Sequence, residues 1–280
     1  MAIAQSHWSS MDLKRLKMSL TDLGENQISM FSDFCHVVKF QIFHMIMNEF
    51  FCKRMWNKAG VVTVLFLSLI QMAQIMDAQE IKLPTCEFAG GKSFMQAVAD
   101  RRSVREFDAG KQIPDSVLGS MLWASVGVNR NDAVASVPGK NVADRSNPTA
   151  LNSQEIHAYV FGKEGVWEYM PHSHSLRQVA GGDYRALVAG TKEFSQEFVN
   201  DAPYSVVFVA YTDKLPEGAN RLVLAAYDAG IACENLTLAC SAVGIATVPR
   251  ATMDVPGISS LLGLNETQIP MLNNPIGYPR

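Results

Sequence analysis

Apolar residues recur at helical spacing in several segments of this chain. The pattern predicts a short helix over residues 93–100 and a second over 114–126, where Pro114 fits the first turn of a helix. The longest predicted helix, 220–243, is apolar on nearly every side, and a further short helix is predicted over 193–200. A helix without a clear polar face belongs at the centre of a domain or at a subunit interface.

Runs of β-forming residues predict the strands. Residues 156–162 and 166–169 are separated by a glycine-bounded turn, which is typical of a hairpin, and 204–211 is a continuous apolar run typical of a central strand. Two further strands are predicted over 245–248 and 268–276. Because helices and strands are interspersed without a regular βαβ repeat, the predicted fold class is α+β and not a doubly wound α/β fold.

The N-terminal part of the chain has a different pattern. Lys53, Arg54 and Lys58 precede an apolar stretch, 61–70, and the small residue Ala78 follows it. This is the layout of a secretory signal peptide, and the apolar stretch is shorter than the roughly 20 residues of a membrane-spanning helix. We therefore predict export to the periplasm or another extracytoplasmic space. The alternatives are a genuine N-terminal anchor, or a cytosolic helix that would leave the protein in the cytoplasm.

The late position of this signal sets the predicted boundaries. Met55 is a natural start, so residues 1–54 are interpreted as an upstream extension from a misplaced start codon, and 55–78 as the signal peptide. Residues 79–92 form a polar lead-in, and 93–280 form the functional domain.

Composition excludes several classes of protein. The 280 residues carry a net charge of -3, so a nucleic-acid coat or a polybasic membrane contact is not expected. Arg221, Asp228 and Glu234 argue against a stable membrane span in the longest helix. His172 and His174 form an H-x-H pair without a third ligand nearby, so no metal site is predicted. No G-x-G-x-x-G sequence follows a strand, which argues against a Rossmann dinucleotide site.

The most specific chemistry lies just after the first predicted helix. Arg101, Arg102, Ser103 and Arg105 place three guanidinium groups and a hydroxyl within five residues. Guanidinium is always charged and matches phosphate oxygens as a two-pronged donor, so we interpret the cluster as a phosphate clamp. The alternative is a solvated basic helix end, which the helix dipole also favours.

Five segments of the chain match one family together. They are RRSVREF at 101–107, PTALNSQE at 148–155, DAGIACENL at 228–236, AVGIA at 242–246 and PIGYP at 275–279. On these segments the chain from about residue 93 to residue 280 resembles the nitroreductase-like FMN flavoproteins. The 148–155 and 276–279 segments look closer to the oxidase- and dehydrogenase-like branch of that family.

The resemblance implies a site for FMN. The residues it implies are Arg101, Arg102, Ser103 and Arg105 for the phosphate and ribityl chain; Pro148, Thr149 and Asn152 beside the flavin ring; Pro249, Arg250 and Ala251 at the ring edge through backbone N–H groups; and Arg280, which would reach the phosphate from the end of the chain. It also implies an α/β sandwich, with a central antiparallel-type mixed sheet flanked by helices, and a homodimer with FMN in its interface.

The function expected from the resemblance is that of an FMN-dependent oxidoreductase. Electrons would pass through the flavin in a ping-pong cycle to or from a small organic substrate, such as a nitroaromatic or quinone-like acceptor, with NAD(P)H as a candidate donor. Because a flavin carries the electron chemistry itself, no catalytic side chain is expected. The alternatives are an oxidase or dehydrogenase of another small molecule, and a flavin-binding protein without turnover.

Overall fold

A computed structural model describes residues 79–86, 90–130 and 144–280 of the chain. These residues fall within one compact unit, Asp77–Arg280. The predicted extension 1–54 and the predicted signal peptide 55–78 lie outside the described residues, so both stay predictions.

The described residues form strands and helices that are interspersed along the chain. The strands are β1 (Glu80–Lys82), β2 (Val128–Arg130), β3 (Asp144–Arg145), β4 (Ile156–Gly162), β5 (Gly165–Met170), β6 (Ser175–Gly181), β7 (Tyr204–Tyr211), β8 (Ala246–Thr247) and β9 (Gln268–Gly277). The α-helices are α1 (Phe94–Asp100), α2 (Asp115–Val126), α3 (Arg185–Ala189), α4 (Arg221–Val243) and α5 (Val255–Leu262). Short 3-10 turns cover Ala150–Asn152, Glu197–Asp201 and Thr212–Lys214. The predicted α+β class is confirmed.

One sheet organises the fold. Its strands lie in the order β1-β6-β5-β4-β7-β9-β8, and each described pair is antiparallel. Strand β7 lies between β4 and β9, where Ile156 of β4 faces Ala210 and Ile276 of β9 faces Tyr204. The 148–155 segment, which enters β4, therefore lies at one end of β7, and the C-terminal segment after β9 lies at the other.

Side chains of β7 alternate between two cores, because successive residues of a strand point to opposite faces. Val206 and Phe208 pack with α2 and α4 on one face, whereas Val207 and Val209 pack with α3 and α5 on the other. The result is a sheet between two helical layers. Both faces of β7 are buried, which explains its continuous apolar sequence.

Helix α4 is the longest element, and its ends carry clear signals. The Asn220 side chain accepts a hydrogen bond from the Val223 N–H at its start, and Gly244 ends it with a left-handed φ of 74°. By length and mean hydropathy, 1.2, α4 could cross a membrane. However, Ala229 and Leu236 are fully buried against the sheet, so α4 packs as a core helix.

A buried asparagine joins α4 to the sheet. The Asn274 amide of β9 donates to the Thr237 hydroxyl (3.3 Å) and to the Thr247 hydroxyl (3.1 Å), and its carbonyl accepts from the Cys233 thiol (2.9 Å). Because buried polar groups are costly when unpaired, these bonds fix the position of α4 along β9.

The structure corrects one predicted helix and adds several elements. The helix predicted over 193–200 is wrong: the segment has only the 3-10 turn Glu197–Asp201. Strand β6 was not predicted because the polar residues Arg177 and Gln178 interrupt its apolar residues and its pairing with β5 is a tertiary contact. Helix α5 was also missed, although Asp254 caps it and Pro256 occupies its first turn, which are recognisable start signals.

Candidate cofactor site

The arginine-rich segment 101–107 runs in extended conformation from the end of α1 to the edge of the sheet. The Val104 N–H donates to the Thr247 carbonyl at 3.0 Å, and Phe107 forms a β-bridge with Pro279. Phe107 is fully buried and anchors the segment. The Arg280 N–H lies 3.3 Å from the Glu106 carbonyl, so the end of the chain runs beside the predicted clamp.

The side chains of the predicted clamp have no protein partners within the described residues. Ser103 and the guanidinium groups of Arg102 and Arg105 are exposed, Arg101 is half-buried, and none of the four side chains has a hydrogen bond or ion pair. A dense group of cations that form no ion pair suits an anionic ligand, and Asp100, the nearby carboxylate that Arg102 acts on, is itself paired with Lys92.

A cavity of about 540 Å³ opens beside this segment. It is lined by the ends of α1 and α4, by β8 and by Pro279, and its charged or hydroxyl-bearing side chains include Lys92, Arg101, Arg102, Thr237, Ser241 and Thr247. Lys92 is held by Asp100 at 2.6 Å. Ser103 and Arg105 do not line this cavity.

The Arg250 side chain is hydrogen-bonded to other parts of the fold. Its guanidinium donates to the Val188 carbonyl (3.0 Å), the Ala189 carbonyl (3.0 Å), the Asn273 side chain (2.7 Å) and the Gln196 side chain (2.8 Å). Burial lowers the pKa of Arg250 to about 10, and nearby Arg105 adds to this effect.

The backbone of the same segment offers few free donors. Pro249 has no N–H, and the Arg250 N–H donates to the Asn273 carbonyl at 2.8 Å. Of the three residues implied for ring-edge contacts, only Ala251, which is exposed, keeps an N–H without a partner in the described structure. Arg250 therefore acts mainly as a structural residue.

The 148–155 segment carries unusual backbone conformations. Leu151, Asn152 and Gln154 have φ of 53°, 52° and 51°, in the left-handed region that non-glycine residues rarely adopt. Such strain persists only where surrounding contacts hold it, and it concentrates at functional sites.

Several hydrogen bonds hold this loop. The Asn152 amide donates to Asp144 at 2.9 Å, and the Gln154 N–H donates to the Thr149 hydroxyl at 3.0 Å. The Ala150 N–H donates to the Asp228 carboxylate of α4 at 2.7 Å. The loop is thus fastened at both ends and to the long helix, while Pro148 in the same segment is exposed.

The three predicted parts of the site lie at successive points along the central strands. The clamp is at the Tyr204 end of β7, Arg250 bridges Asn273 beside the middle of β7, and the strained loop enters β4 at the Ala210 end. At about 3.3 Å per residue, the two ends are about 20 Å apart. None of the contacts in the described residues joins the loop directly to the clamp.

Sequence reasoning missed a polar network at the loop end of the sheet. Lys214 lies 2.7 Å from His157 Nε2, and His157 Nδ1 lies 2.8 Å from Glu168, which also pairs with Arg177. Burial lowers the pKa of His157, which suits a neutral ring accepting from Lys214. Burial acts to raise the pKa of Glu168, but the bonds to His157 and Arg177 keep it below its ordinary value.

The H-x-H pair divides into one surface residue and one packed residue. His172 is exposed, whereas His174 contacts the Tyr169 hydroxyl at 2.8 Å and the Pro84 carbonyl at 2.9 Å. In the described ranges, no group of three His, Cys, Asp or Glu side chains is placed to hold a metal ion.

The antiparallel sheet between helical layers, with a cationic segment at its edge, defines an α+β protein suited to an anionic ligand. Residues 98–278 match the model of the nitroreductase family, and the chain belongs to this family. Membership supports a flavin-dependent oxidoreductase in general terms, since the family generally binds flavin.

Solved structures agree with this assignment. A presumed nitroreductase from Ralstonia eutropha JMP134 is 28% identical with a TM-score of 0.63, and the match covers 73% of this chain and 91% of that one. A presumed nitroreductase from Anabaena variabilis ATCC 29413 shares the fold at 15% identity and a TM-score of 0.55, over 72% of this chain and 42% of that one. Among curated proteins, none matches this chain.

The buried, hydrogen-bonded Arg250 and the exposed Arg105 should contribute differently to stability, and this difference can be tested. We expect Arg250→Ala to lower the free energy of unfolding of the flavin-free protein by about 3 kcal/mol or more, because hydrogen bonds from charged groups contribute roughly 1.5–3 kcal/mol each. Arg105→Ala should leave that stability unchanged or raise it, since it relieves repulsion toward Arg250. Urea unfolding of both variants measures the difference, and an equal loss in both would contradict the assignment.

Proposed function

We propose that this protein is an FMN-dependent oxidoreductase that passes electrons between a donor and a small organic substrate, such as a nitroaromatic or quinone-like compound. The observation that carries the proposal is the arginine cluster. Arg101, Arg102 and Arg105 form no ion pair within the described structure, and the backbone N–H of Arg280 lies beside the carbonyl of Glu106 in the same segment.

The residues present fit a flavin mononucleotide. Arginines and the Ser103 hydroxyl can bind one phosphate by charge-assisted hydrogen bonds, and the chain lacks the glycine fingerprint that a dinucleotide phosphate bridge would use. Arg105 also lies close enough to lower the pKa of Arg250, so an anion there would relieve repulsion between like charges. When bound, FMN would supply the two-electron chemistry.

Each part of the chain would then have a positioning task. The clamp at 101–105 holds the phosphate, and the Ala251 N–H is a free donor midway along the sheet. The strained loop presents Thr149 and Asn152 at the far end, in the positions that the family resemblance implies for the ring. The buried Arg250 side chain stiffens the middle segment and does not itself bind the ligand.

Export would determine the electron donor. If the signal peptide predicted at 55–78 is used, the mature protein works where NAD(P)H is scarce. We therefore propose a different donor for an exported enzyme, which favours the oxidase or dehydrogenase direction. In the cytoplasm NAD(P)H would serve as the donor.

A homodimer is part of the proposal, as family members are usually dimers. The outer face of α4 supports it: Leu222, Val223, Tyr227 and Ile231 are all exposed, and Tyr227 is 64% exposed. Phe94 and Met95 add exposed apolar surface on α1, which packs on α4. Exposed apolar side chains of this kind are typical of an interaction site.

The central test is the identity and redox activity of the cofactor. The purified full chain, reconstituted with flavin, should show a flavin visible spectrum, and mass analysis of the released compound should give FMN. Chemical reduction followed by a quinone or nitroaromatic should restore the oxidised spectrum. FAD, or no bound flavin, contradicts the proposal. Reducible FMN that no acceptor reoxidises would indicate a flavin-binding protein without turnover.

The clamp predicts which substitutions weaken binding. Arg101→Ala and Arg105→Ala should each raise the dissociation constant for FMN at least about tenfold, because each removes a charge-assisted hydrogen bond. Lys163→Ala, which removes an exposed surface cation, and His172→Ala serve as matched controls and should bind FMN normally. Fluorescence titration measures all four, and equal affinities would refute the clamp.

The dimer predicts a specific effect of charge on α4. Tyr227→Glu should shift the protein toward monomer and lower flavin retention, because an unpaired charge buried at an interface costs several kcal/mol. Phe194→Glu, which alters an equally exposed aromatic residue outside α4, should have neither effect. Light scattering with flavin absorbance reports both quantities, and a flavin-loaded wild-type monomer at micromolar concentration would overturn the shared-site proposal.

A further inference from the structure

Two carboxyl groups meet in the buried region behind the strained loop. Glu155 ends the loop and is fully buried, and neither of its carboxyl oxygens receives a hydrogen bond from a protein donor. Asp228 of α4, 5% exposed, is close enough to influence it and accepts the Ala150 N–H at 2.7 Å. Two ionised carboxylates cannot donate to each other, so the arrangement is satisfied only if one of them carries a proton.

The surrounding charges leave room for one negative charge. From β3, the buried Arg145 faces the pair, but its guanidinium donates to the Ile156 carbonyl at 2.7 Å and its Nε has no partner. Lys214, in the 3-10 turn after β7, also interacts electrostatically with Glu155. However, Lys214 is exposed and is bonded to His157. One buried cation therefore opposes two carboxyl groups, and an isolated extra buried charge is very costly.

We infer that Glu155 stays protonated in the folded protein and donates a hydrogen bond to the Asp228 carboxylate. This shared proton fastens the 149–155 loop to α4. The proton balance is simple: the pair carries one proton and one negative charge, which Arg145 offsets. Burial, together with the contact to Asp228, raises the pKa of Glu155 to about 8.

Glu155 is thereby a positioning residue for the loop. Asp228 holds the Ala150 N–H while it accepts from Glu155, so both ends of the left-handed stretch at 151–154 are tied to one carboxylate. Loss of the shared proton would set two negative charges against each other and release the loop. The effect of loop release on flavin binding rests on the proposed function, whereas the protonation of Glu155 does not.

The direction of the pH effect follows from linkage. A folded-state pKa raised above the unfolded value means that the contribution is fully present below the unfolded pKa and is lost as pH rises through the folded pKa. The stability supplied by the pair should therefore disappear as pH rises through about 8. Between the ordinary carboxyl pKa of 4.5 and about 8, unfolding releases one proton per molecule, so the folding equilibrium constant falls by about tenfold per pH unit from this site, and above about 8 no further loss comes from it.

The test compares the full-length, flavin-free wild type with Glu155→Gln. The glutamine amide can still donate to Asp228, but it does not titrate. We expect the wild type to lose stability relative to Glu155→Gln from pH 5 to pH 8, by about tenfold in the folding equilibrium constant per pH unit, and the two profiles to run parallel above about pH 9. Glu193→Gln, the same change at an exposed site, should follow the wild-type profile. Parallel profiles for wild type and Glu155→Gln between pH 5 and pH 8 overturn the inference.

A second measurement needs no variant, in case Glu155→Gln does not fold. Amide hydrogen exchange of the wild type, corrected for its intrinsic base catalysis, should show that the protection of 149–155 falls as pH rises from 5 to 8. Unchanged protection of the loop contradicts the shared proton.

Flavin titration then separates the two proposals. If FMN binding weakens in the wild type between pH 7 and pH 9 but not in Glu155→Gln, the loop positions the flavin as inferred. If neither protein binds flavin at either pH, the proposed function fails, and the flavin-free stability profiles still decide the carboxyl pair.

Discussion

The packing of α4 against the sheet is the constraint on which the candidate site depends. Polar groups on or beside its buried face connect it to the other parts of the fold. Ser125 of α2 donates to the Ala232 carbonyl at 2.7 Å, Asn274 of β9 engages Cys233 and Thr237, and Ser241 donates to the Ala97 carbonyl of α1 at 2.7 Å. Because α1 delivers the arginine segment and Asp228 holds the loop, the position of α4 sets the position of both.

Hydrogen bonding separates the arginines by role more clearly than their place in the sequence does. Arg250 and Arg185 each satisfy their guanidinium groups with carbonyls and side chains of the fold, so they maintain its shape. Arg102 and Arg105 are exposed and unpaired within the described chain. An unpaired guanidinium costs little in water, and it keeps its full capacity for a phosphate. This difference in partners underlies the assignment of the clamp.

The strained loop and the carboxyl pair are both rigid and energetically unfavourable parts of the candidate site. Left-handed conformations at Leu151, Asn152 and Gln154 are unfavourable by themselves, and burying Glu155 beside Asp228 is unfavourable as well. Each is tolerated because the other elements restrict the alternatives. These contacts account for how this chain holds the 149–155 loop in its strained conformation.

The sequence by itself determined the class of the fold, most of the central elements and the arginine cluster. Long apolar periodicities such as 220–243 and 204–211 are local signals, because one buried face or two buried faces require them. Only the tertiary structure decided which groups are partnered. Arg250 looks like a binding residue in the sequence, but its guanidinium donates hydrogen bonds to carbonyls distant in the chain. The Arg280 backbone lies beside the arginine segment only because the chain pairs at the sheet edge. Asp228 and Glu155 were invisible as a pair, because the proximity of two carboxyl groups is a property of packing and not of spacing along the chain.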